Sequence, residues 1–221
     1  MKKNFDYINY SKQTLILERN ETLSKTYTLL SSTILFSAFT ALLSMKYNFQ
    51  ANYLLLILNF LLLFIIEIFK KNIIGLFLVF VFTGILGFEL GPIINSVLKI
   101  RYGEEILLFS LLSTGMIFMI TSLYILITKK NLEFLSGFLL TGFILIFLGI
   151  VFNIFFNITL LHLIISSMII ILSTISMMYT TSNLINNNDI HYISATINIY
   201  LDIYNIFLSI LSILRFISNK D

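Results

Sequence analysis

Along this chain, apolar runs of about twenty residues alternate with short polar breaks, and about twenty is the length a helix needs to cross a bilayer. Seven runs qualify, at roughly 27–45, 51–69, 73–98, 106–128, 134–156, 158–180 and 195–217. In hydrocarbon a backbone must satisfy its own hydrogen bonds, so each run is expected to be a helix. A barrel would instead show alternating segments of about ten residues, and none is present. The connections are short, so successive helices should run antiparallel. No internal repeat or soluble domain stands out. The pattern predicts an all-α integral membrane protein with an N-terminal tail at 1–26, a seven-helix transmembrane domain at 27–217 and a short C-terminal tail at 218–221.

Composition supports the membrane reading. Hydrophobic residues make up 58% of the chain and charged ones 11%, with a mean hydropathy of +0.96. A soluble domain carries about 25% charged residues, so too little polar surface exists here to cover a globule in water. The lipid bilayer is therefore the first expected partner. Cysteine is absent, which excludes disulfides, thiolate metal sites and cysteine nucleophiles. Tryptophan is absent too, leaving Tyr and Phe to form any interfacial belt. The formal charge of +3 is dispersed between apolar runs and gives nucleic-acid binding no basis.

The first 26 residues lack the apolar core and small-residue cleavage site of a signal peptide. Lys2, Lys3 and Lys12 should keep this stretch solvated and unstructured, either as a simple leader or as a docking segment for a partner. Orientation follows from the basic residues of the breaks. Nine (Lys2, Lys3, Lys12, Arg19, Lys25, Lys70, Lys71, Lys129, Lys130) fall on one side and five (Lys46, Lys99, Arg101, Arg215, Lys220) on the other. The N-terminus is expected in the cytoplasm and, after seven spans, the C-terminus outside.

Three acids lie in or near the apolar runs, where a charge at a helix centre costs about 2.5–3.5 kcal/mol or more. Glu67 is followed by Lys70 and Lys71 at i+3 and i+4, which predicts an interfacial ion pair. Glu89 sits in TGILGFELGP beside Gly84, Gly87 and Gly91, a small-residue face that lets a second backbone approach closely. Pro92, the chain's one proline, should disturb the helix there. Glu89 either lines a polar cavity or points to the headgroups. Asp202 belongs to a stripe: at about 100° per residue, Asn198, Asp202, Asn205, Ser209 and Ser212 fall within an arc of about 80°. Such a seam should face other helices or water. It serves either as interhelical hydrogen-bond glue or as the place where Asp202 titrates and responds to protons or a cation. His162 stands alone and reads as a packed or interfacial residue, and His191 as solvated in a polar loop. No HExxH, GxSxG or P-loop occurs, so neither enzyme activity nor a cofactor nor a metal is expected.

Three stretches carry a family resemblance: YTTSNLINNNDIHYISATINIYLDIYNIFLSILSIL (179–214), TGILGFELGPIINSVL (83–98) and ITKKNLEFLSGFLLTGFILIFLGIVFNIFF (127–156). From about residue 20 onward the chain resembles the Bax inhibitor family of seven-helix membrane proteins. The resemblance implies six helices around a central seventh. It implies two functions. Members that leak calcium use a pair of carboxylates as a pH-sensitive latch; the second position matches Asp202, whereas the first falls on Thr180, which holds no proton to release. Asp189 would substitute only if its loop folded back. In the bacterial branch that 127–156 matches, the implied partner is an FtsH-type protease in the inner membrane. Modulation of such a protease in membrane-protein quality control is the expected function, and a pH-sensitive calcium or cation leak is the alternative.

Overall fold

The computed structural model describes residues 2–47, 53–186 and 190–218. Among these are seven α-helices: α1 (Lys2–Lys46), α2 (Tyr53–Phe69), α3 (Ile73–Leu98), α4 (Gly103–Thr128), α5 (Ser136–Phe156), α6 (Thr159–Asn186) and α7 (Tyr192–Ser218). A short 3-10 turn, Glu133–Leu135, precedes α5. Six of the helices are long and apolar enough to cross a membrane. The seventh, α2, has 17 described residues. At 1.5 Å per residue it is about 25 Å long, just short of the roughly 30 Å hydrocarbon layer. Large apolar side chains cover the outside of the bundle, among them Leu35, Phe147, Ile154 and Phe155, each more than three-fifths exposed. The chain is an all-α, seven-helix membrane protein.

Helix α7 is the most enclosed. It packs against α1, α3, α4 and α6, while α2 docks on α3 and α5 on α6 at the flanks. Leu30, Ile66, Phe82, Met177 and Ile199, one each from α1, α2, α3, α6 and α7, share the main core. Ile106 of α4 meets Phe207 and Leu211 of α7 in a second cluster. Leu139 and Ile146 of α5 close on Ile165 and Leu172 of α6 in a third.

The most extensive helix pair is α1 with α3, and glycine makes it possible. A Cβ on Gly84 would stand 2.7 Å from the Phe36 ring; one on Gly87 would overlap the Ser37 carbonyl and Thr40 hydroxyl, and one on Gly91 the Ser44 side chain. The predicted small-residue face is thus the surface on which α1 lies. Helix α3 continues through Pro92 to Leu98.

Two expectations change. The N-terminal stretch is not an unstructured leader: α1 is one uninterrupted 45-residue helix from Lys2. Its polar residues end the apolar pattern but do not break a helix, because Lys, Gln, Leu and Glu are all good helix formers. Helix α6 likewise runs past the apolar limit at 180 to Asn186. Asp189 and residues 219–221 lie outside the described residues.

Candidate functional site: the polar axis of the central helix

Polar side chains toward both ends of α7 reach several neighbouring helices. At its N-terminal end Ser194 donates to Glu67 of α2 over 2.8 Å, and Glu67 also pairs with Lys70, as its spacing predicts. The Thr196 hydroxyl lies 3.3 Å from the Thr26 carbonyl of α1 and bonds the Tyr192 carbonyl at 2.8 Å. Tyr200, buried, donates to Ser37 of α1 at 2.6 Å, with the Thr83 carbonyl of α3 at 3.4 Å. Asp202 lies beside Ser176 of α6, and its Oδ2 is buried without a hydrogen-bond partner among the described residues. Toward the other end Ser212 lies 2.7 Å from His162 Nε2, and Arg215 donates to Ser96 of α3 at 3.1 Å. These bonds tie α7 to α1, α2, α3 and α6. In a bilayer, where burial of apolar surface gives helices little reason to associate, they add to the packing that does.

The five-residue stripe is split by this arrangement. Asp202 and Ser209 are buried, 4% and 5% exposed. Asn205 and Ser212 are half-buried, and Asn198 is exposed on the helix surface. Spacing fixes the relative angles of these residues but not which edge of the stripe faces α6. Ser173 and Thr180 of α6 are buried, but the hydroxyl beside Asp202 belongs to Ser176, one turn from Thr180. Among the described residues no group of three His, Asp or Glu side chains converges as a metal site would require.

Glu89 belongs to a different pair of helices. It is half-buried on α3 and accepts a hydrogen bond from Asn59 Nδ2 of α2 at 3.1 Å. Asn59 is itself buried. The acid therefore ties α2 to α3, and a lone Asn in an apolar run gave no sign of this pairing. His191, expected in solvent, is half-buried: its Nδ1 accepts the Ile193 amide at 3.3 Å at the start of α7, and its ring rests on Tyr192. Burial pushes its pKa below the ordinary value; Lys70 adds to this, Glu67 opposes it, and Lys71 and Lys25 lower it further. Ser182 of α6 also escaped the sequence reading. It accepts the Leu132 amide at 3.0 Å and donates to the Lys130 carbonyl at 2.7 Å, clamping the α4–α5 connection.

Comparison with known proteins places this architecture. The family model for inhibitors of apoptosis-promoting Bax1 matches residues 19–220. The modulator of FtsH protease YccA of Escherichia coli K12 is 38% identical over 208 residues, which cover 93% of this chain and 94% of the relative. A protein of Pasteurella multocida is 38% identical over 96% of both chains. A membrane protein of Vibrio cholerae is 36% identical over 93% of each. Matched along nearly its whole length, with the glycine-faced α3 and the enclosed α7 inside the matched region, the chain belongs to the Bax inhibitor family.

Proposed function

We propose that the chain is a bacterial inner-membrane protein that binds an FtsH-type membrane protease and modulates membrane-protein quality control. The observation that carries this reading is the 38% identity, over 93% of the chain, to a protein named as a modulator of FtsH protease. In this reading the protein is not an enzyme: the polar residues of α7 hold helices together, and the bundle acts by occupying its partner. The N-terminus is cytoplasmic and the C-terminus periplasmic, with 1–26 as the cytoplasmic segment, 27–217 as the membrane domain and 218–221 as the tail. The cytoplasmic segment is the part offered to the protease, and the packed bundle resists being drawn out after it.

Calcium and protons gain no support as partners. A latch of the leak type needs a second acid against Asp202, and the polar side chain beside it is the hydroxyl of Ser176. Asp202 with Asn198, Asn205, Ser209 and Glu89 is better read as a polar seam that fixes helix positions.

Removal of residues 2–18 tests the docking claim, because it spares every predicted span. Pulse-chase decay in cells with and without the protease should show a longer lifetime for the truncated chain only where the protease is present. Equal protease-dependent decay of both chains would remove the tail from the account. Failure of the full-length chain to co-purify with the protease in mild detergent would remove the function.

A further inference from the structure

Near the end of the bundle formed by the α3–α4 connection, a crevice of 300 Å³ lies between α3, α6 and α7. That is the lower end of the range for ligand pockets. At its open edge are Arg215 and Ser212 of α7 and His162 of α6; deeper in its lining are the buried Ser209 and Ser166 with Ile93 of α3, Ile169 of α6 and Leu208 of α7. Helices α3 and α6 are not packed on each other here, and α7 spans the space between them. We propose that this crevice binds an anionic phospholipid, its phosphate on Arg215 beside His162 and part of one acyl chain along the α3–α6 gap.

The argument begins with charge. The ion pairs formed among the described residues, Lys25–Glu21 and Lys70–Glu67, are both at the opposite end of the bundle. Arg215 is exposed and donates to a neutral hydroxyl, Ser96, at 3.1 Å. That bond uses one guanidinium nitrogen and leaves the rest of the fork for an oxyanion, and a planar guanidinium matches phosphate with two parallel hydrogen bonds. His162 and Ser212, 2.7 Å apart, add polar hydrogens one turn along α7. Depth supplies the second half of the argument. Below this edge the lining is mainly apolar, with Ser166 and Ser209 the exceptions, which suits an acyl chain and is not needed by a free phosphate. Arg215 sits in the last turn of α7, at the level where headgroups meet hydrocarbon.

The test is native mass spectrometry of the full-length chain in detergent, titrated with phosphatidylglycerol, phosphatidylcholine or inorganic phosphate. The wild type should retain one phosphatidylglycerol about tenfold more tightly than phosphatidylcholine, the scale of one charged hydrogen-bonded contact. Arg215→Gln should erase that preference, and Arg215→Lys, which keeps the charge without the fork, should recover part of it. Ile169→Phe should weaken binding without changing charge. Arg101→Gln removes a cation from the same end of the bundle, where its guanidinium lies over Tyr102, and should leave binding intact. Equal loss in Arg101→Gln and Arg215→Gln would reduce the effect to diffuse surface charge. Displacement of the lipid by equimolar inorganic phosphate would make the crevice a free-anion site. Either result overturns the proposal.

Discussion

Tyr200 shows what a single hydroxyl does in this protein. It is 4% exposed and reaches two other helices, at Ser37 and at the Thr83 carbonyl. Tyr200→Phe keeps the ring packing and strands the Ser37 side of the bond. The expected loss is about 1 kcal/mol, between the average of about 0.6 and the maximum of about 1.7 for hydrogen bonds between membrane helices, read as a lower unfolding midpoint in detergent. His191 makes a pH-dependent contribution at the water boundary. Its folded pKa lies below the ordinary 6.5 through burial and then Lys70, with Lys71 and Lys25 adding to them, against Glu67. Above 6.5 neither the folded nor the unfolded chain carries the proton, and nothing is lost. As pH falls below 6.5 the unfolded chain takes up a proton that the folded one resists, so stability declines. Thermal melting at pH 8 and pH 5.5 should show this decline, and His191→Gln should flatten it.

At the scale of elements, the α1–α3 pair depends on the absence of side chains. Gly87→Leu would place a side chain against the Ser37 carbonyl and Thr40, with no flexible tip to yield. Overpacking of this kind costs about 1–3 kcal/mol, and crosslinking between cysteines introduced on α1 and α3 should fall as the pair separates. The element most fully legible in the sequence was α3. Its apolar run matches the helix from Ile73 to Leu98, and its glycines announced the docking face. Helix α1 was legible only in its apolar half, since hydropathy marks where lipid begins and not where a helix does. Within the candidate site, the narrow arc on α7 was readable but its absolute facing was not: Asn198 points outward while Asp202 enters the bundle. Angles along one helix carry no information about where α6 stands. The positions of Ser176 and Asn59 were unreadable for a related reason. Asn59 is an isolated polar residue in an apolar run and Ser176 is one of several hydroxyls along α6, and only tertiary packing brings either to an acid.

For the molecule as a whole, the nine-to-five basic asymmetry of the sequence predicts a cytoplasmic N-terminus. An odd number of spans then puts the C-terminus across the membrane. Alkaline phosphatase fused after residue 221 should be active and the same enzyme fused at the N-terminus inactive; the reverse pattern, or inactivity at both ends, would contradict the arrangement. The unbroken length of α1 has a mechanical consequence. A helix of 45 residues is about 68 Å long, more than twice the hydrocarbon thickness. Its outer turns and its glycine-docked turns are one rod, with no hinge between them to absorb a pull. Tension applied near Lys2 is therefore carried straight down the axis to the α1–α3 seam, where Phe36, Ser37, Thr40 and Ser44 sit against the three glycines. A motor hauling from that end must part the bundle's most extensive helix pair in shear rather than peel it open turn by turn.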